Sequence, residues 1–305
     1  MRDAFIKTLI EEARKNENIY LITPDLGFSV LEEFAAEFPD RFMNVGIAEA
    51  NAVNIAAGLA LSGKIVYIYS IIPFITMRPF EQIRVNLAYM NTNVRLVGVG
   101  AGLTYAYLGA THHAIEDLAI MRSLPNMTVF SPSDPWEVKC AIKESVGHNG
   151  PIYFRLGKKG EPVISNTKSK FSFKKANFIK YGDDVNILFT GNASDIAMEV
   201  YDSLIKDNIR GVNLISIHTI KPFDSNLINQ IIQAGKPIFT IEEHSIIGGL
   251  GSIVSEYIAE SDQNPIFKRF ALPDEYSHFV GSQKYLREKL GFTSKKIIED
   301  IEKLI

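Results

Sequence analysis

Short apolar runs alternate with amphipathic stretches through the first half of the chain, and this pattern predicts a series of strands and helices. The runs do not alternate with polar residues, as is typical of strands buried on both faces of a sheet. Strands of this kind between helices indicate a parallel sheet covered on both sides. The predicted strands are 19–22, 42–45, 65–70, 94–99, 127–130 and 152–155, and the predicted helices are 4–13, 30–38, 48–62, 79–91, 115–123 and 134–147.

The amino-acid composition changes between residues 157 and 184, where Lys, Ser, Gly and Asn dominate. We interpret this part as a linker with local strand character. A second alternation follows, so the fold class is α/β, with two doubly wound domains at 1–160 and 185–305 and a linker at 161–184. The second set of predicted strands is 185–189, 212–216, 237–241 and 266–270, with helices at 194–207, 224–233 and 250–260 and two more near the C-terminus.

Composition and charge narrow the class of protein. The chain has 305 residues, of which 46% are hydrophobic and 22% are charged, as in a globular protein. A net charge of −3 gives no reason to expect nucleic acid or an anionic membrane as a partner. Neither a signal peptide nor an apolar run long enough for a membrane span is expected. Cys140 is the single cysteine, which fits a reducing cytoplasm.

Glu49 occupies a distinctive position between a predicted strand and a predicted helix. Residues 42–52 run from an apolar strand through Gly46 into a helix of small residues, and Glu49 lies at this turn. One interpretation is a helix-start carboxylate near the positive end of the helix dipole. The other is a desolvated carboxylate that is poised to move a proton. The local sequence leaves both interpretations open.

Two further motifs follow predicted strands. The adjacent His112 and His113 come after a glycine-rich segment, where substrate hydroxyl binding or proton transfer fits better than metal ligation. Successive side chains on a helix do not face one metal, so we predict no metal site. Residues 248–251 read Gly-Gly-Leu-Gly before a helix, which fits either an anion site or a tight turn with close packing. No Gly-x-Gly-x-x-Gly or Walker sequence is present.

The order of these motifs resembles one enzyme family. Residues 45–49, followed by a helix rich in Ala and Gly, resemble the pyrimidine-binding domain of transketolases and deoxyxylulose-phosphate synthases. Further matching segments follow in that family's order, at 69–70, 74, 111–113, 122–127, 131–134 and 242–251. The family's Gly-Asp-Gly diphosphate-binding domain has no counterpart in this sequence, so the chain is similar to the C-terminal subunit of a split transketolase. Beta subunits of 2-oxo-acid dehydrogenases share this two-domain plan and are the alternative.

This resemblance implies a cofactor, partners and site residues. It implies thiamine diphosphate with Mg²⁺ held by a separate N-terminal subunit, a heterotetramer with two copies of each chain, and transfer of a two-carbon ketol unit from a ketose, expected to be phosphorylated, to an aldose. In the family, the glutamate matching Glu49 hydrogen-bonds a ring nitrogen of the aminopyrimidine. The implied catalytic residues are Glu49 and His112, the cofactor-binding residues are Asp25, Glu49, Tyr69, Phe74 and Met77, and the substrate-binding residues are Arg2, Ser29, His112, His113 and Arg155.

Two positions depart from the family's pattern. Leu108 stands where the family has an aspartate that binds a substrate hydroxyl, and Gly100 stands where it has a histidine that contacts phosphate. Losing a charged hydrogen bond removes roughly 1.5–3 kcal/mol of binding free energy. The sequence therefore predicts a sugar preference different from that for pentose-phosphate-pathway substrates.

Overall fold

The computed structural model describes residues 1–158, 160–167, 170–206 and 211–305. Strands and helices alternate through the first half of the chain. Its strands are β1 (Ile19–Thr23), β2 (Phe42–Asn44), β3 (Ile65–Ile71), β4 (Val94–Val99), β5 (Thr128–Phe130) and β6 (Ile152–Leu156). Its helices are α1 (Arg2–Ala13), α2 (Glu32–Glu37), α3 (Glu49–Leu61), α4 (Ile72–Met77), α5 (Phe80–Gln82), which continues as a π-helix at Ile83–Tyr89, α6 (Asp117–Arg122) and α7 (Pro135–Val146).

The second half repeats the alternation of strands and helices. Its strands are β7 (Asn177–Lys180), β8 (Val185–Thr190), β9 (Val212–Ser216), β10 (Thr219–Lys221), β11 (Ile238–Ser245) and β12 (Phe267–Leu272). Its helices are α8 (Ser194–Lys206), α9 (Ser225–Gln233), α10 (Leu250–Ala259), α11 (Gln283–Lys289) and α12 (Ser294–Glu302). Among the described residues, none of these helices is long and apolar enough to cross a membrane.

The strands form two sheets, which confirms the predicted α/β class. The larger sheet has seven strands in the order β10-β5-β6-β4-β3-β1-β2, and the smaller has five in the order β12-β11-β8-β9-β7. All neighbours pair in parallel except β10 with β5 and β7 with β9. Strand β10, which belongs to the second half of the chain, therefore joins the sheet of the first half. The sequence did not predict this pairing.

Several element boundaries differ from the prediction. The helix predicted at 79–91 is preceded by α4, which begins directly after β3, and Pro73 suits the first turn of that helix. The predicted linker contains β7, which joins the smaller sheet, as its expected strand character allowed. Residues 168–169 of that linker and residue 207 of the predicted helix 194–207 lie outside the described residues. The domain boundaries at 160 and 185 stay a prediction.

A buried carboxylate in α7 connects the first half to β7. Glu137 Oε2 accepts a hydrogen bond from the backbone nitrogen of Ser133 at 2.7 Å, and Oε1 accepts one from Asn177 Nδ2 at 2.9 Å. Burial, together with the negative charge of Asp134, raises the pKa of Glu137 from 4.5 to about 7. Glu137 thus keeps its proton to a higher pH in the folded chain than in the unfolded chain.

The raised pKa of Glu137 makes stability depend on pH. A carboxyl group with a higher pKa in the folded state binds its proton more tightly there, so its contribution is full below pH 4.5 and is lost as pH rises through about 7. We expect the free energy of unfolding to fall by about 2–3 kcal/mol over this range. Urea unfolding at a series of pH values measures this fall in the free energy of unfolding. Glu137→Gln should flatten the slope, whereas an unchanged slope in that variant would contradict the assignment.

Candidate active site

The segments of the candidate site follow the carboxyl ends of parallel strands. Asp25 follows β1, Glu49 follows β2, Phe74 follows β3, residues 100–113 follow β4, and Lys158 follows β6. These strands are neighbours in the larger sheet and pair in parallel. Because the carboxyl ends of parallel strands meet at one edge of a sheet, the topology brings these segments together.

Glu49 is the first residue of α3 and combines burial with a charged partner. Only 4% of its side chain is exposed, and both carboxylate oxygens accept hydrogen bonds from Arg78 Nη1 at 3.2 Å. The Arg78 side chain is 55% exposed, so the ion pair lies at the border of solvent. The preceding turn uses Gly46 at a φ of +71°, a conformation that glycine adopts without strain. Glu49 is thus a buried acceptor that can be reached from one side.

A series of cationic and aromatic side chains extends from Glu49. The guanidinium carbon of Arg78 lies 4.7 Å from the centroid of the Phe74 ring, in cation–π geometry. The Phe74 ring meets the His112 ring edge to face at 5.1 Å, and His112 in turn lies 6.4 Å from the ring of Tyr105. The structure therefore brings together three of the predicted site residues, namely Glu49, Phe74 and His112.

The two histidines of the loop have different surroundings. His112 is half-buried, and its Nδ1 lies 2.9 Å from Thr111 Oγ1. Burial and the neighbouring His113 lower the pKa of His112 below 6.5, which favours the neutral imidazole at pH 7. His113 is buried, and its Nε2 lies 3.1 Å from the carbonyl oxygen of Ala106. His113 therefore helps to hold the loop in place, and its predicted contact with substrate stays a prediction.

Asp25 supports the turn that precedes Glu49. Its Oδ1 accepts a hydrogen bond from Asn44 Nδ2, and its backbone nitrogen donates to Asn44 Oδ1, both at 3.1 Å. Asn44 Oδ1 also accepts from the backbone nitrogen of Gly46 at 3.0 Å.

Ser29 is exposed, and its backbone nitrogen donates to Glu32 Oε1 at 2.7 Å. Asp25 and Ser29 both have a positive φ, which is uncommon outside glycine.

Tyr69 and Met77 differ in exposure. Tyr69 is 2% exposed and its ring stacks on that of Phe5 at 5.7 Å, so it packs in the core, and its predicted contact with the cofactor stays a prediction. Burial raises its pKa, and the positive charge of Arg2 opposes that shift. Arg2 Nε is buried and has no hydrogen-bond partner within the described part of the chain. Met77 is 39% exposed at the end of α4, beside Arg78.

Arg155 lies in a buried network, and its predicted role in substrate binding stays a prediction. Its Nε donates to Asp117 Oδ2 at 2.8 Å, with both side chains fully buried. Its Nη1 donates to Asn192 Oδ1, and its Nη2 donates to the carbonyl oxygens of Ala114 and Glu243. Every guanidinium nitrogen thus has a protein acceptor, and the network ties the first sheet to the second half of the chain.

The Gly-Gly-Leu-Gly segment holds a carboxylate of the chain itself. Glu242 accepts hydrogen bonds from the backbone nitrogens of Leu250 and Gly251, each at 2.7 Å. A side chain at Gly249 would place its Cβ 2.0 Å from Glu242 Oε2. The tight-turn interpretation fits this packing, because Glu242 occupies the start of α10 where an external anion would bind. The described residues contain no group of three His, Cys, Asp or Glu side chains that could hold a metal ion.

Arg78, Tyr105 and Lys158 are site residues that sequence reasoning missed. The spacing of Arg78 four residues after Phe74 was the available signal, since residues at this spacing on a helix share one face. Tyr105 and Lys158 carry no comparable local signal. Their positions depend on how the loop after β4 folds against the end of β6.

Comparison with known families defines the class of protein. The family model described as "Transketolase, pyrimidine binding domain" matches residues 1–161, and the model "Transketolase, C-terminal domain" matches residues 174–297. The solved structure of a split-gene transketolase, described as an inactive beta4 tetramer, superposes with a TM-score of 0.88 at 34% identity, covering 99% of this chain and 97% of that one. The chain therefore carries the pyrimidine-binding and C-terminal regions of a transketolase.

Curated relatives match most of this chain and most of their own length. The 6-deoxy-6-sulfo-D-fructose transketolase subunit SqwH of Clostridium sp. (strain MSTE9) is 35% identical over 98% of this chain and 92% of its own. An apulose-4-phosphate transketolase subunit of Phocaeicola vulgatus is 38% identical over 90% of this chain and 88% of its own. The chain belongs to the transketolase family and is a subunit of a split, thiamine-diphosphate-dependent transketolase.

The residues around Glu49 fit the aminopyrimidine end of thiamine diphosphate. A protonated ring nitrogen needs a buried acceptor, and the Glu49 carboxylate is 4% exposed. An aromatic ring needs an apolar face, and the partly buried Phe74 ring lies against the Arg78 guanidinium that contacts this carboxylate. Arg78 reaches the same carboxylate from the solvent side. The cofactor would therefore meet Glu49 and Phe74 at the position that Arg78 now borders.

Proposed function

We propose that this chain supplies one half of a transketolase active site and that an N-terminal subunit supplies the other half. The observation that carries the proposal is the buried Glu49 carboxylate, which lies at the edge of the sheet with Phe74 and His112. In this proposal the partner holds the diphosphate and Mg²⁺, and two copies of each chain assemble as a heterotetramer. The single cysteine supports a cytoplasmic location.

The residues at and around Glu49 have distinct roles in this proposed active site. When bound, thiamine diphosphate supplies the electron sink for cleavage of a carbon–carbon bond. Glu49 would accept a hydrogen bond from a protonated ring nitrogen of the pyrimidine, and Phe74 would support the ring, with Met77 beside it. Asp25 acts through Asn44, because that pair fixes the turn before Glu49. Burial around Glu49 keeps water from this carboxylate.

The remaining predicted residues contribute to sugar binding in different ways. His112 contacts a substrate hydroxyl as a neutral imidazole, and Arg2 is a positive group behind Tyr69. Ser29 is exposed near the start of α2 and stays a candidate for substrate contact. His113 and Arg155 act on the fold around the site rather than on the sugar, given their buried hydrogen bonds.

The relatives suggest which sugars to try. Their names specify a sulfo group in one case and a phosphate group in the other. We therefore propose a ketose donor that carries a tetrahedral oxyanion at its terminal carbon. The test is a two-carbon transfer assay with the assembled enzyme on a panel of phosphorylated and sulfonated ketoses. Ketol transfer supports the proposal, whereas decarboxylation of a 2-oxo acid in its place would favour the dehydrogenase-type alternative.

His112 should produce an acid limb in the pH profile. Its pKa is lowered from 6.5 by burial, so the neutral imidazole is lost only as pH falls below that value. We expect kcat/KM to decline below pH 6.5 and His112→Gln to lower activity by about 10²–10⁴-fold while removing this decline. His148→Gln, in a half-buried histidine near Thr128, is the control. An identical acid limb in His112→Gln would exclude His112 as its source.

A further inference from the structure

The loop that carries His112 is closed at its base by hydrogen bonds of its own backbone. The backbone nitrogen of Gly102 donates to the carbonyl oxygen of Ala114, and that of Ala114 donates to the carbonyl oxygen of Gly102, both at 2.9 Å. Inside the loop, His113 Nε2 lies 3.1 Å from the carbonyl oxygen of Ala106. Because these bonds tie the loop to itself, the position of its base determines where His112 lies.

One end of this base is bonded to Glu243, a buried carboxylate of β11. Its Oε1 accepts hydrogen bonds from the backbone nitrogen of Leu103 and from Asn192 Nδ2, each at 2.7 Å. Asn192 Nδ2 also donates to the carbonyl oxygen of Ala101 at 3.1 Å. Since a carboxylate makes stronger hydrogen bonds than a neutral acceptor does, Glu243 holds the start of the loop firmly.

The other end of the base is bonded to the same part of β11. Arg155 Nη2 donates to the carbonyl oxygens of Ala114 and Glu243, at 2.9 and 3.0 Å. The backbone nitrogen of Ser245 donates to the carbonyl oxygen of Ile115 at 2.8 Å. Both ends of the loop are therefore fixed by contacts with the second half of the chain.

The Glu243 carboxylate is in turn fixed by α11. Its Oε2 accepts hydrogen bonds from Arg287 Nε and, at 3.1 Å, from Gln283 Nε2. Arg287 Nη1 also donates to Asp195 Oδ2 in α8 at 2.6 Å. Glu243 thus connects two helices of the second half to the base of the loop.

Gly102 allows the loop to approach Glu243 this closely. Its φ is +59°, and a Cβ built there would lie 2.4 Å from Glu243 Oε1 and 2.8 Å from the Glu243 carbonyl oxygen. A side chain at residue 102 would therefore push the base of the loop away from β11, in addition to straining the backbone. This close contact is independent of the Leu103 hydrogen bond, so two separate observations place the base of the loop on Glu243.

We propose that Glu243 is a positioning residue, through which the second half of the chain sets the position of His112 in the active site. The inference rests on the proposed transketolase function, in which His112 contacts a substrate hydroxyl. Glu243 is 0% exposed, so it acts through the loop and does not touch the substrate. A displacement of about 1 Å can cost about 10²-fold in rate, so a small shift of the loop base is sufficient to lower activity.

Kinetics of the assembled enzyme test this role. Glu243→Met keeps most of the side-chain volume but removes the acceptor for the backbone nitrogen of Leu103. With the phosphorylated or sulfonated ketose that wild type turns over fastest, kcat/KM should fall by about 10–100-fold, in part through a higher KM. The half-saturating concentration of thiamine diphosphate should stay within a factor of about 2–3, since Glu49 and Phe74 lie on α3 and α4, outside this loop. A variant that was merely less stable would contain less active enzyme, which lowers kcat but leaves KM for the ketose unchanged.

A second variant and two matched controls keep the test decisive if Glu243→Met does not fold. Gly102→Ala leaves every charge in place and should raise KM and lower kcat/KM in the same way. Glu242→Met removes the neighbouring buried carboxylate, which bonds the start of α10 instead of the loop. Gly235→Ala introduces a side chain at a φ of +66°, where, among the described residues, no atom lies within 4 Å of a built Cβ. Both controls should lose stability but keep wild-type values of kcat and KM.

Hydrogen exchange separates this inference from the proposed function, because it requires no turnover. In the purified full chain, the amides of residues 103–113 should exchange faster in Glu243→Met and Gly102→Ala than in wild type, and at the wild-type rate in both controls. Unchanged exchange of this loop in folded Gly102→Ala, an unchanged KM for the ketose, or equal effects in the controls would each overturn the inference. If no ketose is a substrate, faster exchange confined to the two loop variants still supports the anchoring by Glu243, and the failure counts against the proposed function alone.

Discussion

Glu49→Gln is expected to reduce the turnover of the assembled enzyme by about 10²–10⁴-fold, the range for losing a group that moves a proton. The amide keeps the size of the side chain but cannot accept and return a proton. Arg78 would also lose its charged partner, whose oxygens lie 3.2 Å from Nη1. Because Arg78 is 55% exposed, solvent can accommodate that loss and the fold should remain intact. Steady-state kinetics and thermal unfolding measure the two effects.

A matched control separates chemistry from helix electrostatics. Glu33 is an exposed carboxylate in the first turn of α2, the same kind of helix position without the buried setting. If Glu49 only interacted with the helix dipole, Glu49→Gln and Glu33→Gln would each cost about 0.3–1 kcal/mol of stability and leave turnover unchanged. Near-normal turnover of Glu49→Gln would therefore contradict the assignment of Glu49.

Arg155→Met is expected to lower the free energy of unfolding by about 3–5 kcal/mol, because it leaves the buried Asp117 carboxylate without its counter-charge. Asp117 Oδ1 already has no hydrogen-bond partner among the described residues, and Oδ2 would keep only the hydroxyl of Tyr153 at 2.7 Å. Urea unfolding measures this change. Arg14→Met serves as the control, since its ion pair with Glu37 is exposed and should matter little.

A double variant tests whether Arg155 stabilises the fold through its buried ion pair with Asp117 or binds the substrate oxyanion. Arg155→Met with Asp117→Leu removes both buried charges, so much of the lost stability should return. If Arg155 instead bound the substrate oxyanion, Arg155→Met would fold with wild-type stability and show only a higher KM. That outcome would contradict the structural role.

The sequence predicted the fold class better than it predicted the surroundings of Glu49. Apolar runs report which faces are buried, so both sheets were predictable. The placement of β10 was not, because residues 219–221 are too short to show a period and pair with β5, about 90 residues away. The start of α4 was missed for a similar reason, since it follows β3 without an intervening polar turn.

Arg155 shows why the site itself was only partly predictable. An arginine at the end of a strand has the same local sequence whether it faces a substrate or a buried carboxylate. Its partners come from α6, from the turn before α8 and from β11, and only the folded chain brings these together. The position of Glu49 at the start of a helix was easier to predict, because the turn and helix around it are continuous in the sequence.

Titration of this chain with its N-terminal partner subunit, at fixed thiamine diphosphate and Mg²⁺, tests the central claim most directly. The measured quantity is the rate of two-carbon transfer from an anionic ketose to an aldose. If Glu49 lies in one half of a shared site, the chain alone shows no transfer, and the rate rises to a plateau at one partner per chain. Full turnover by the chain without a partner would contradict the account.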